Sequence, residues 1–201
     1  MKISILSISS PGRESGDHGP FNSWDRQPYL TDVRTGEPSM YMADRNIHHN
    51  FLIDNYSPQE NVDNDDGSAY YLTHDNFMVY GGTGMKSDFG GHDNHHYGNI
   101  YAFSGCAVKD NTIQIDGHGD SFYNNTVVMT SEDVGILRCD PPGKTVLYSN
   151  QYYTQSGEIS ECGLPLAEWQ EKSPDNDPNS TVDKWPTTDH ILELAREKLN
   201  F

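Results

Sequence analysis

Five asparagines recur through the middle of the chain, each behind polar residues and ahead of large ones: Asn50 before Phe51-Leu52-Ile53, Asn76 before Phe77-Met78-Val79, Asn99 before Ile100-Tyr101-Ala102, Asn125 before Thr126-Val127-Val128, and Asn150 before Gln151-Tyr152-Tyr153. Successive anchors are 26, 23, 26 and 25 residues apart. A period in the twenties is too short for a helix-turn-helix repeat of about 34 residues, and the spacing of a leucine-rich repeat is missing. It matches one turn of a parallel β-helix. An inward amide can donate to and accept from the identical amide one turn above and below, so an Asn column satisfies itself. Two residues beyond the anchors stand Leu52, Met78, Tyr101, Val127 and Tyr152, which the same geometry stacks as one column at the strand spacing of about 4.8 Å. Asn followed by an apolar residue is common in turns, but five such pairs in near-constant register favour the solenoid.

Composition agrees. Of 201 residues, 34% are hydrophobic and 11% aromatic, with 18 Gly and 11 Pro, which is too apolar-poor for a helical bundle and too aromatic-rich for disorder. Thirty acidic against 13 basic residues give a formal charge of -17, which excludes nucleic acid as a partner because the surface lacks the cations that would displace its counterions. No apolar run approaches the roughly 18 to 20 residues of a membrane span, and the opening MKISILSISS is too short and interrupted to read as a secretory leader. Cys106, Cys139 and Cys162 lack CxxC spacing, which argues against a zinc-thiolate site and leaves room for one disulfide, with Cys139 and Cys162 the favoured pair, plus a free thiol.

The register ends after residue 153, and Ser173 to Ser180 reads as a linker without regular structure. Thr187 or Thr188 as N-cap, Asp189 in the first turn, and Ile191, Leu194, Ala195 and Leu199 at helical spacing predict a C-terminal helix packed on the flank or end of the solenoid. A shorter helix is expected over Pro165 to Lys172 with Trp169 inward. The expected organisation is a β-helix domain over 1–160 and a C-terminal extension over 161–201, an all-β protein overall.

Chemistry-bearing residues gather beside glycines, which let backbone turn sharply and expose their neighbours: Gly16-Asp17-His18-Gly19, Asp63-Asn64-Asp65-Asp66-Gly67, Asp88-Phe89-Gly90-Gly91-His92-Asp93 and Gly117-His118-Gly119-Asp120. Counted back from the next anchor, Asp65 and Asp66 stand at 11 and 10, Asp88 at 11, Asp116 at 9 and Asp140 at 10, while His92 and His118 both stand at 7. Equal offset on a solenoid means one column. Carboxylates on adjacent turns suit glycoside hydrolysis, which uses two carboxyl groups about 5 to 5.5 Å apart for retention or about 6.5 to 9.5 Å apart for inversion. The same acids can instead gather Ca²⁺, a possible cofactor, or simply make turns. Paired imidazoles also suit zinc or copper, although no fixed sequence spacing marks a metal site. His48, His49, His95 and His96 read as turn or surface residues. Trp24, Tyr29, Tyr41, Tyr70, Tyr71, Tyr80 and Tyr97 offer flat faces on which a sugar ring can stack or which can pack internally.

The stretches Arg13 to Asp32 (RESGDHGPFNSWDRQPYLTD), Asp63 to Tyr71 (DNDDGSAYY), Lys86 to Asn94 (KSDFGGHDN) and Gly117 to Asp120 (GHGD) together resemble right-handed parallel β-helix proteins of the pectate-lyase-like and polygalacturonase-like kind. The resemblance implies a right-handed parallel β-helix acting on a polysaccharide or other glycan. Asp65-Asp66 and Gly117-His118-Gly119 are similar in type to the paired acids and Gly-His-Gly of polygalacturonase-like hydrolases. On that basis Asp65 or Asp66 would protonate the leaving oxygen, Asp63, Asp66 or Asp88 would activate water, and His118 would orient the pair. Asp17, His18, Trp24, Tyr70, Lys86 and His92 would contact substrate. A polysaccharide lyase would instead use Lys86 or a histidine as base, with a cation or Arg13 against the uronate carboxylate, and a non-catalytic carbohydrate-binding solenoid would use the same surface without turnover. Sugar-facing residues, the acidic surface and the sequons at Asn124 and Asn179 point to an extracellular protein.

Overall fold

A computed structural model describes residues 2–4, 7–9, 19–24, 34–35, 43–53, 60–88, 90–110, 117–136, 139 and 145–199. Three parallel sheets stack turn upon turn into a β-solenoid. Sheet A runs β1 (Lys2–Ser4), β4 (Arg45–His48), β7 (Tyr71–His74), β10 (His95–Tyr97), β13 (Ser121–Tyr123) and β15 (Val146–Tyr148). Sheet B runs β2 (Ser7–Ser9), β5 (Phe51–Ile53), β8 (Phe77–Val79), β11 (Ile100–Ser104), β14 (Thr126–Met129), β16 (Gln151–Thr154) and β19 (Thr181–Lys184). Sheet C runs β3 (Phe21–Ser23), β6 (Glu60–Asn64), β9 (Thr83–Ser87) and β12 (Cys106–Asp110). Among the described residues the one antiparallel pair is the short β17 (Ser160–Glu161) with β18 (Leu164–Pro165).

The five anchors sit at the corner between sheets A and B and form the expected ladder. The backbone N–H and side-chain Nδ2 of Asn50 both donate to Asn76 Oδ1 at 2.9 Å. Asn76 does the same to Asn99 at 3.1 and 3.0 Å, Asn99 to Asn125 at 2.9 and 3.1 Å, and Asn125 to Asn150 at 3.0 and 3.3 Å. Each Nδ2 also reaches a strand carbonyl, as Asn99 does to Thr73 at 2.8 Å. The residue before each anchor takes the left-handed conformation that swings the chain from one sheet to the next: His49, Asp75, Gly98, Asn124 and Ser149 have φ between 53° and 62°. At Gly98 the glycine is also a matter of room, because a Cβ would stand 2.9 Å from Asp75 Oδ1.

Inside the coil the predicted column holds in register: Leu52 opposite Met78, Met78 opposite Tyr101, Tyr101 opposite Val127, and Val127 opposite Tyr152, all buried. Ile47, Phe122 and Leu147 from sheet A and Val62, Met85 and Val108 from sheet C join them in one core. His96 lies among them, which overturns its reading as a turn or surface residue. Its position in β10 alternates inward, opposite Thr73 and Phe122. There Nε2 meets Asn64 Oδ1 at 2.9 Å and Nδ1 meets the Tyr101 hydroxyl at 2.8 Å. A neutral Nε2–H tautomer satisfies both partners, and burial pushes the imidazole pKa down to about 3.

The register does not end at residue 153. β19 pairs with β16 and adds a turn to sheet B, and the hydroxyl of Ser180 accepts the Asn150 N–H at 2.7 Å, taking the place of a sixth anchor. The 173–180 segment has no helix or strand, yet it is pinned, since Gln170 Nε2 donates to the carbonyls of Asp177 and Ser180. Helix α1 (Leu166–Lys172) buries Leu166 and Trp169. Helix α2 (Thr188–Leu199) lies on the flank, where Ile191 and Ala195 pack against Phe77, Ile100, Ala102 and Val128 on the outer face of sheet B and Lys198 pairs with Asp75 at 2.9 Å. Cys139 and Cys162 form the expected disulfide. Cys106 is free, and burial pushes its thiol up to about 12, so it stays protonated.

Replacing Asn99 by Ala strands the two donors of Asn76 and frees the Thr73 carbonyl in a site that is 1% exposed. Asn99→Ala is expected to destabilise the fold by about 3 kcal/mol, read as a lowered urea midpoint with unchanged slope. A loss below about 0.5 kcal/mol would show that the ladder is not a main support.

Candidate functional site

Successive residues of β6 and β9 point to opposite sides. Val62 and Met85 enter the core, while Asp63 and Lys86 meet on the other side of sheet C. Lys86 is only 4% exposed. Its ammonium lies 3.2 Å from Asp63 Oδ1, 3.0 Å from Asp65 Oδ1 and 3.4 Å from Asp88 Oδ2. Burial alone would favour losing that proton, but Glu60, Asp63 and Asp65 outweigh it and hold the Lys86 pKa above the usual lysine value. Asp63 is fully buried, receives Asn22 Nδ2 at 2.7 Å, and is pushed up by burial against the pull of Lys86. Glu60 is buried with neither carboxyl oxygen hydrogen-bonded among the described residues, and burial lifts its pKa to about 7 despite Lys86.

Past the end of β6 the chain makes the turn that the Asp-Asp-Gly sequence implies. Asp65 N–H donates to the Ser23 carbonyl and Ser68 N–H to the Asp65 carbonyl, each at 2.9 Å, with Gly67 at φ 72°. On the next turn the Asp88 carbonyl accepts from Gly91 at 2.8 Å and from Gly67 at 3.4 Å, which staples the two loops together. As a result one carboxylate oxygen from each of Asp65, Asp66 and Asp88 falls within 4.8 Å of the others. Trp24, next to Ser23, is 60% exposed beside this cluster's supporting strand.

A few residues on, at the corner leading into sheet A, a second cluster forms. Ala69 bridges to His92, with His92 N–H on the Ser68 carbonyl at 3.1 Å. His92 Nδ1 and His118 Nδ1 lie 2.8 and 2.7 Å from the same oxygen, Asp93 Oδ2. The Tyr70 ring stands edge-to-face with His92 at 5.2 Å, and burial, then the Asp93 charge, raises its phenol pKa. Asp93 and His118 line a pocket of about 320 Å³ together with Tyr70, Leu72 and His95.

The structure therefore brings Asp65, Asp66, Asp88 and Lys86 together, and Tyr70, His92 and His118 together, on consecutive stretches of the same turns. Asp17 and His18 lie outside the described residues, as do Arg13, Asp116, Asp140, Tyr29 and Tyr41. Glu60 and Asp93 went unassigned in the sequence. Asp93 carries a signal there, since it directly follows His92 in the Gly-rich cluster, whereas Glu60 carries none. Tyr97 does not offer a face. His48, His74, Tyr97, Tyr123 and Tyr148 form one external stack with successive ring centroids 4.9, 4.8, 5.1 and 4.6 Å apart, so each face is taken by the next ring. Tyr71 is flanked by Phe21 and by the Arg45 guanidinium, while Trp24 and Tyr80 remain open to solvent. The chain matches no protein-family model, no curated protein and no solved structure.

Glu60 has a folded pKa of about 7 against 4.5 ordinarily, so its neutral form favours the fold. That contribution is complete below pH 4.5 and is lost as the pH rises to about 7. Glu60→Gln removes the titration. Relative to wild type it is expected to gain about 3 kcal/mol across this window, measured by urea unfolding at either end. A difference that stays constant with pH would mean that Glu60 is ionised throughout.

Proposed function

We propose that this protein is carbohydrate-active, of the pectate-lyase-like and polygalacturonase-like kind, and that it hydrolyses a polysaccharide with paired aspartates. The observation that carries this is the convergence of Asp65, Asp66 and Asp88 from two successive turns with their nearest oxygens within 4.8 Å. Oxygens that close fit the retaining arrangement, with carboxyl groups about 5 to 5.5 Å apart, better than the inverting one at about 6.5 to 9.5 Å. Retention is the outcome this spacing supports. Lys86, 3.0 Å from Asp65, suits Asp65 to be the anionic nucleophile. Asp65 attacks the anomeric carbon as Asp66 gives its proton to the departing oxygen. Water then releases the sugar from Asp65 and returns a proton to Asp66.

Trp24 follows Ser23, whose carbonyl holds the Asp65 N–H, and supplies an exposed aromatic platform. His118 is engaged by Asp93 and faces the pocket beside Tyr70 instead of tuning the acids. A charge of -17 repels polyuronates, so the substrate class is a neutral glycan. The same reasoning weighs against a lyase with Lys86 as base, because that ammonium is buried among carboxylates and keeps its proton. The disulfide between Cys139 and Cys162 supports an extracellular location.

The test is release of reducing ends from a panel of neutral polysaccharides, with the anomeric configuration of the product followed by NMR. Asp66→Asn is expected to lower the rate about a thousandfold with the circular dichroism spectrum unchanged. Trp24→Ala is expected to raise KM about tenfold at similar kcat. Retardation of glycans in a gel without any release would leave a binding protein and sink the hydrolase reading.

A further inference from the structure

The second cluster has a geometry that hydrolysis by the aspartates does not use. Both imidazole Nδ1 atoms are aimed at one oxygen, Asp93 Oδ2, and one donor atom from each of His92, Asp93 and His118 lies within 4.8 Å of the other two. We propose that these three side chains bind a divalent first-row transition-metal ion, zinc foremost, as a facial set of ligands whose remaining positions open onto the pocket beside Tyr70.

The donor set selects the class of ion. Two imidazole nitrogens and one carboxylate oxygen suit zinc and its first-row neighbours, whereas calcium takes six to eight oxygens. Spacing agrees with this. Two donors about 2.1 Å from a common ion stand about 3.4 Å apart at the tetrahedral angle and about 3.0 Å apart at a right angle, so separations of 2.8 and 2.7 Å require the side chains to spread by a few tenths of an ångström.

The surroundings combine a rigid wall with an open one. His92 is fully buried and held by the Ala69 bridge, while the His118 and Asp93 side chains are 36% and 26% exposed. The far nitrogen of His92, Nε2, is buried without a hydrogen-bond partner among the described residues. His92 Nδ1 donates to Asp93 Oδ2 in the metal-free protein, so an ion takes the place of that hydrogen bond and its proton moves to Nε2 or is released. The adjoining pocket of about 320 Å³ has room for water or a small ligand in the open coordination positions. The formal charge of -17 raises the local concentration of cations. The ligands come from two turns, one supplying His92 and Asp93 and the next His118, so the ion would also tie those turns together. None of this depends on glycan hydrolysis.

The experiment is a titration of the chelator-stripped chain with Zn²⁺, followed by calorimetry and by metal analysis after dialysis, and with Co²⁺, followed by its visible absorption. A single site per chain is expected, with a Co²⁺ band typical of nitrogen and oxygen ligands. His118→Ala and Asp93→Asn should each weaken Zn²⁺ by tenfold or more and remove the Co²⁺ band. Both side chains are partly exposed, and circular dichroism verifies that the variants fold. His190→Ala, which removes an exposed imidazole on α2, should bind like wild type. Absence of uptake by the wild-type chain overturns the proposal, and so does a His118→Ala variant that binds within about threefold of wild type.

Discussion

An amide buried where a coil turns must find partners for two N–H groups and a carbonyl, and in this protein it finds them on the next turn and on the strand beside it. The Asn50, Asn76, Asn99, Asn125 and Asn150 column meets that requirement by repetition, the Oδ1 of each of the last four receiving two donors from the turn before. Because the bonds fall at every turn, they lock the phase of the coil. With the phase locked, Leu52, Met78, Tyr101, Val127 and Tyr152 are bound to overlie one another, and so are the loops that leave sheet C.

Those loops concentrate charge in a way that isolated turns could not. Lys86 is an ammonium nearly shut off from water, a costly arrangement unless its partners are close and well placed. Three carboxylates within 3.4 Å meet that condition, and Asp63 is in turn held by Asn22 from the turn below. The Asp65 and Asp88 side chains are only 16% and 12% exposed, so the buried cation serves as a fixed counter-charge to largely covered acids. Glu60 shows a different balance, a carboxyl whose burial outweighs the pull of Lys86 and raises its pKa to about 7.

Much of this was legible in the residue order, and the reasons are specific. A 26, 23, 26, 25 spacing survives in one dimension because each turn repeats the same bond, so the parallel solenoid, the inner column and the nearness of His92 to His118 on adjacent turns could be counted directly. Helix α2 was visible because its own 3.6-residue period is local. What escaped depends on direction and not on count. His96 differs from His95 only by facing inward, and nothing beside it declares that the Asn64 and Tyr101 side chains await it. The turn at β19 was hidden because Ser180 does with a hydroxyl what an asparagine does elsewhere, after 30 residues instead of about 25. Tyr97 could be named as aromatic, but only the register shows that its two faces belong to His74 and Tyr123.

Ser180 also gives the molecule an end in the polymer sense. The amide column is directional: protons are offered toward higher-numbered turns and accepted from lower ones, like a zipper with a top and a bottom. An asparagine at the last position would present another pair of N–H groups and invite a further layer, from this chain or a second molecule. Ser180 takes one proton from Asn150 and spends its own on Asp177 Oδ1, so among the described residues the amide column closes on the chain itself, and its last hydroxyl is already committed as a donor.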